Sequence, residues 1–206
     1  FRRVLFRSVP FYTSLGNHEY MTDAAAPSLV GRTAPASGVP PIDQGRYYSF
    51  DWGNVHFVCL DTNTPLYRVT WGDDSMLKWL ERDLSNTRKF WRVAFFHHPG
   101  YATGTHQFEP EAELVRTHIV PILERYGVQL VLNGHEHNFQ RTHPLSAGKR
   151  AGQPSPATVY ITAGGGGQST YVSQRNDAIS QVLGVNHYLR TQVSGSKLNV
   201  AAIDIN

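Results

Sequence analysis

The chain has 206 residues, with 19 Lys and Arg against 16 Asp and Glu for a formal charge of +3; 40% of residues are hydrophobic and 17% charged. That is enough apolar material for a sizeable core and too little charge for a disordered chain. The apolar runs are of strand length, which excludes a membrane-spanning helix, and a single cysteine, Cys59, excludes an internal disulfide framework and a cysteine-based zinc site.

Residues 1–8, FRRVLFRS, break strand alternation at Arg2, Arg3 and Arg7 and match the translation of a sequencing-library adapter. They are read as non-native and residues 9–206 as the C-terminal portion of a domain. Without those three arginines the 19 basic residues fall to 16, equal to the acidic count, so charge gives no argument for nucleic-acid binding. VPFYTSLG predicts a short strand closed by a turn, and residues 21–45, rich in Ala, Pro, Gly and Ser, predict a long surface loop. RYYSFDWGNVHFVCLDTN predicts a hairpin about residues 51–54. Residues 73–87 place Met76, Leu77, Leu80 and Leu84 on one helical face, after N-cap candidates Asp73 to Ser75. FWRVAFFHH predicts a strand, residues 109–127 a helix broken or kinked by Pro121, and VQLVLNG a further strand. ATVYITAGGGG and HYLRTQVSGSKLNVAAIDI alternate like antiparallel strands. The class is α/β, with a layered β-sandwich core flanked by helices.

Five of the ten histidines stand directly after apolar strand runs: His18, His97, His98, His135 and His137. In open α/β sheets the crevice at the carboxyl ends of the strands is the usual ligand site, so three strands converge imidazoles on one pole. His135 and His137 are two apart and face one side if the backbone is extended. Asn17 adds an amide oxygen suited to hard or borderline metals. Each piece alone has a plainer reading: a hydrogen-bonded structural histidine, or Asn-His as a turn device.

Gly16-Asn17-His18-Glu19, His97 and Gly134-His135-Glu136-His137 resemble, in this order, the motifs of calcineurin-like metallophosphoesterases. The surroundings VPFYTSLGNHEY, WRVAFFHHPGYATGTHQFE, YGVQLVLNGHEHNFQRTHPL and VYITAGGGG are most similar to the purple acid phosphatase branch, over nearly the whole chain from Val9. The resemblance implies hydrolysis of phosphate esters at two metal ions, Fe paired with Zn, Mn or Fe. Asn17, His97 and His135 would ligate one ion and His137 the other; His18, outside the metals, would donate a hydrogen bond to the phosphate or protonate the leaving oxygen, and His106 would face the substrate. Gln107 stands where the family has a second substrate-facing histidine, and Arg141 where it has an arginine, with a structural ion pair the stronger reading for Arg141. Two metals suit this chemistry because they lower the pKa of a water and clamp phosphate oxygens, and an imidazolium can supply the leaving-group proton. A phosphodiesterase or nucleotidase on the same scaffold is the alternative enzyme, and a non-catalytic phosphate- or partner-binding fragment the alternative class.

The resemblance also implies two aspartate-bearing motifs before Gly16, and neither is present. The remaining ligands are neutral, which compensates metal charge poorly. The chain is therefore expected to be the later part of a catalytic domain that binds metal weakly, loses the site nearest His137 and has little activity. Asp61 could substitute as a carboxylate, but a turn-stabilising role is the stronger reading. Glu19 and Glu136 are expected to orient ligands or face solvent, His98 to support the ligands from outside, and His56 and His118 to be ordinary core or surface residues. The Gly164–Gly167 run lacks a P-loop lysine and reads as a flexible turn at the cleft rim. The resemblance leans toward an extracellular or periplasmic location, with no membrane or nucleic-acid partner.

Overall fold

The computed structural model describes residues 10–21, 37–152 and 156–205; the expectation for residues 1–8, and most of that for the 21–45 loop, fall outside the described residues. A short helix, α1 (Asn17–Met21), precedes the hairpin of β1 (Tyr48–Trp52) and β2 (Val55–Cys59), where Trp52 faces Val55 across Gly53 at φ 58°. That left-handed φ is what glycine at the turn supplies. α2 (Thr64–Val69) and α3 (Ser75–Asn86) lead to β3 (Trp91–Phe95). On α3 the periodic residues Met76, Leu80 and Leu84 are buried together with Trp79. Each such side chain contributes roughly 1.5–3 kcal/mol when removed from water. Asp73 Oδ1 accepts from the Ser75 backbone N–H at 3.1 Å, satisfying a donor at the helix start.

The expected break near Pro121 takes a definite form. α4 (Pro110–Leu114) runs into a π-helical turn at Val115–Ile119, and α5 (Val120–Arg125) restarts with Pro121 in its first turn. Proline lacks the N–H that a continuous ladder needs, and the wider turn absorbs this loss. Then come β4 (Leu130–Asn133), β5 (Phe139–Thr142), the short pair β6 (Leu145–Ser146) and β7 (Lys149–Arg150), β8 (Val159–Ala163), β9 (Ile179–Leu183), β10 (His187–Ser194) and β11 (Lys197–Asp204).

Seven strands form one sheet in the order β1-β2-β3-β4-β8-β5-β9, with β2, β3, β4 and β8 mutually parallel. α3, the π turn and α5 supply residues to the main core on one face, where Leu80, Val115, Ile119, Leu123 and Val131 meet. The other face is covered by the β10–β11 hairpin: Leu189, Val193, Leu198, Val200 and Ala202 pack toward Val55, Val93, Leu130 and Ile161. Among the described residues the second layer of the sandwich is this hairpin alone.

Two expectations need correction. Residues 10–16 form no ladder; Thr13 O instead accepts from the Tyr48 hydroxyl at 2.8 Å and from Cys59 Sγ at 3.5 Å, so side chains occupy the backbone that a strand would pair. β8 lies parallel to β4 and antiparallel to β5, because it inserts between them; alternation in sequence does not encode the direction of a neighbour. His56 is buried, as a core position would be, and it also has two charged partners. Its Nδ1 is 2.8 Å from Asp51 and its Nε2 2.8 Å from Asp83 of α3, so one buried imidazole ties the hairpin to the helix.

Candidate metal centre

Parallel strands end on one side of a sheet, so the loops after β2, β3, β4 and β8 gather at one pole. They carry Asp61 and Thr62, His97 and His98, His135, and the run Gly164 to Gly167. α1, rather than a strand, brings Asn17 and His18 to the same pole. His97 Nε2 lies 2.9 Å from Asn17 Oδ1 and 3.0 Å from His135 Nδ1. A Cβ on Gly16 would sit 2.8 Å from His97 Nδ1, so the glycine of this motif is what lets the ring approach Asn17.

His135 has φ 70°, an unusual conformation for a residue with a Cβ. The backbone is therefore not extended between His135 and His137, and the same-side argument does not apply. His135 turns toward His97, whereas the His137 ring is 6.3 Å from both His106 and Tyr171. Both still line one cleft of about 380 Å³ together with Asn17, His18, His97, His106 and the glycine run. His98 is buried against this cluster, its Nδ1 2.8 Å from Thr62 Oγ1 and its ring 4.5 Å from that of His135.

The carboxylates divide sharply. Glu19 accepts from the Gly16 backbone N–H at 2.7 Å and so fixes the motif's own loop. Glu136 is fully buried; it accepts from the His106 backbone N–H at 2.8 Å and from the Tyr171 hydroxyl, which orients the loop bearing His106. Asp61 is occupied by the turn after β2. Its Oδ1 accepts from both nitrogens of Asn63 at 2.9 Å, and its Oδ2 accepts from Tyr20 and lies 3.6 Å from Arg46. Arg141 is not in the cleft: it lines the groove between sheet and hairpin with Trp91 and Leu198, and its Nη1 donates to Thr142 O at 3.4 Å.

One carboxylate at the pole was not legible in the motifs. Glu109 Oε1 lies 2.6 Å from His106 Nδ1, and Oε2 lies 2.7 Å from His135 Nε2. The three-residue spacing of His106 and Glu109, in the turn just before α4, is the signal that points to it. The cluster of neutral ligands therefore does contain an anion.

Burial, reinforced by the neighbouring histidines, pulls His97 down to about 2 and His98 to about 3, and burial also lowers His135. Neutral imidazoles are the ligand form. Burial opposes charge on Glu109, but hydrogen bonds with His106 and His135 outweigh it and hold the carboxyl below its usual range. Two overlapping groups, His97–His98–His135 and His106–Glu109–His135, each keep their ligand atoms within 4.8 Å of one another. With Asn17 Oδ1 beside His97, this donor set of imidazole nitrogens and oxygens fits a borderline ion such as zinc or iron.

Fold and site together define an α/β protein with a histidine-rich pole, suited to holding a metal ion, at the ends of its parallel strands. The chain belongs to the calcineurin-like phosphoesterase family, whose profile matches residues 1–139. It is 32% identical over 173 residues to purple acid phosphatase 23 of Arabidopsis thaliana, covering 81% of this chain and 36% of that protein. It is also 32% identical over 167 residues to acid phosphatase A of Cryphonectria parasitica, covering 71% and 32% respectively. The structure of purple acid phosphatase PPD1 from yellow lupin seeds shares the fold, with a TM-score of 0.68 at 18% identity over 95% of this chain and 38% of that one. The chain thus spans roughly a third of the length of these curated relatives. Among the described residues no helix is long and apolar enough to cross a membrane.

Proposed function

We propose that the protein of which this chain is a part hydrolyses phosphate monoesters in the manner of a purple acid phosphatase. The reading rests on one observation above all: His97 Nε2 lies within about 3 Å of both Asn17 Oδ1 and His135 Nδ1, in a cleft that His18, His106 and His137 also line. Asn17, His97 and His135 would hold one ion, and His137 would take part in holding a second. Bound at this pole, metal ions supply an activated water and offset charge on the phosphoryl group.

The chain's own residues account for the remaining functions. His18 is exposed at the cleft mouth, where an imidazolium can give its proton to a departing alkoxide. His106 is held by Glu109 through Nδ1, which leaves Nε2 available to a phosphate oxygen. Gly164, Gly166 and Gly167 line the same cleft without side chains, leaving room for an ester group. The substrate is a small phosphate ester rather than a nucleic acid, and kinship with the purple acid phosphatases supports action outside the cytoplasm.

Hydrolysis of para-nitrophenyl phosphate by the full-length protein with added Zn²⁺, Mn²⁺ or Fe tests the proposal, with bis(para-nitrophenyl) phosphate as the diester control. The expected result is metal-dependent turnover that favours the monoester and falls at least about a hundredfold in His97→Ala, since even partners outside the ligand shell are worth 10- to 100-fold. Turnover of the diester alone would replace the monoesterase with a diesterase. Metal-independent turnover, or none with any of the ions, would overturn the reading.

A further inference from the structure

Glu109 stands at the junction of two groups that the proposed reaction needs. Its carboxylate receives both at once: Oε1 lies 2.6 Å from Nδ1 of His106, and Oε2 lies 2.7 Å from Nε2 of His135. His135 meets Glu109 through the nitrogen that does not face His97; its Nδ1 is turned to the His97–Asn17 corner, 3.0 Å from His97 Nε2. The two ring nitrogens therefore have separate partners, one toward the ion corner and one toward a carboxylate. This is the arrangement that fixes a metal-binding imidazole: the carboxylate takes the far N–H, sets the tautomer and raises the basicity of the near nitrogen.

The same carboxylate orders a second ring. With His106 Nδ1 engaged by Glu109 and the His106 backbone N–H held by buried Glu136, the ring is fixed at two points. It lies against His135, with ring centroids 4.2 Å apart. Glu109 has no competing duty in the helix it opens: it occupies the N-cap position of α4, yet its side chain makes no capping hydrogen bond. Its side chain is 37% exposed, so burial does not account for its position either.

We propose that Glu109 is a positioning residue that grips His135 and His106 through its two oxygens, fixing His135 with Nδ1 toward the ion and His106 with Nε2 toward the substrate. One side chain thereby couples the metal corner to the substrate-facing loop. The inference rests on the metal-dependent reading above and extends it to a residue that the motifs do not contain.

Calorimetric titration of the chain with Zn²⁺, alongside the visible absorption of its Co²⁺ form, tests the inference directly. Glu109→Gln keeps shape but removes the charge and one of the two acceptors. It is expected to weaken Zn²⁺ binding at least about tenfold and to alter the Co²⁺ bands, with no change in the unfolding temperature of the metal-free protein. Glu109→Asp, which keeps the charge on a stem shorter by one methylene, is expected to recover part of the affinity, as a merely space-filling role would not. His97→Ala serves as the ligand control and is expected to abolish binding. If His97→Ala abolishes binding while Glu109→Gln matches wild type, the positioning role is refuted and the metal-dependent reading stands. If neither variant changes affinity, both are refuted.

Discussion

Gly164 opens the glycine run after β8, and the structure makes it far less replaceable than Gly166 and Gly167 in that run. An added Cβ there would lie 2.0 Å from Glu136 O, 2.8 Å from Glu136 C and 3.4 Å from the Cα of His137. A close C···O approach is about 3.3 Å, so the overlap is roughly 1.3 Å, and it is with backbone that cannot rotate away. The Gly164 N–H also donates to Asn138 O at 3.1 Å, tying the strand end to the segment it would have to leave. Overpacking typically costs 1–3 kcal/mol, and a rigid overlap of this size belongs at about 3 kcal/mol. For a chain of this length that corresponds to a fall in Tm of roughly 6–12 °C. Gly166, where an added Cβ meets nothing within 4 Å, is the control. Scanning calorimetry of Gly164→Ala and Gly166→Ala should show a large loss for the first and a change within about 2 °C for the second. Equal melting temperatures would refute the close backbone packing, and with it the proximity of this run to His137.

Two further predictions concern titratable groups away from the metal pole. Burial pulls His56 down, but hydrogen bonds and charge from Asp83 and Asp51 outweigh it and raise the imidazole above its usual value. A raised folded-state value means that its stabilisation is fully present below about pH 6.5 and is lost as pH rises through the folded-state value. The stability gap between wild type and His56→Gln in urea should therefore be wider at about pH 5.5 than at about pH 8.5; a gap that is flat or widens with pH contradicts a charged bridge. Burial pushes the Cys59 thiol up to about 12, so an aromatic disulfide reagent at about pH 8 should label it only after unfolding. Rapid labelling of the native protein would show that the floor of β2 is open.

Local chemistry made much of this protein legible in its sequence. Strand-length apolar runs marked β2, β3 and β4, the period of Met76, Leu80 and Leu84 marked α3, and Pro121 marked the break between α4 and α5. His97 and the GHEH motif located the pole because residues that follow parallel strands must meet at one end of the sheet, whereas the GNHE motif reaches it from a helix. Tertiary structure alone decided how those residues engage one another. The left-handed backbone at His135 separates it from His137, the insertion of β8 between β4 and β5 brings Gly164 against Glu136, and Arg141 turns to the opposite face. Glu109 reaches His135 across 26 positions, and Asp83 reaches His56 across 27. Periodicity and motif spacing describe neighbours along the chain, whereas these contacts depend on how separate elements close over one another.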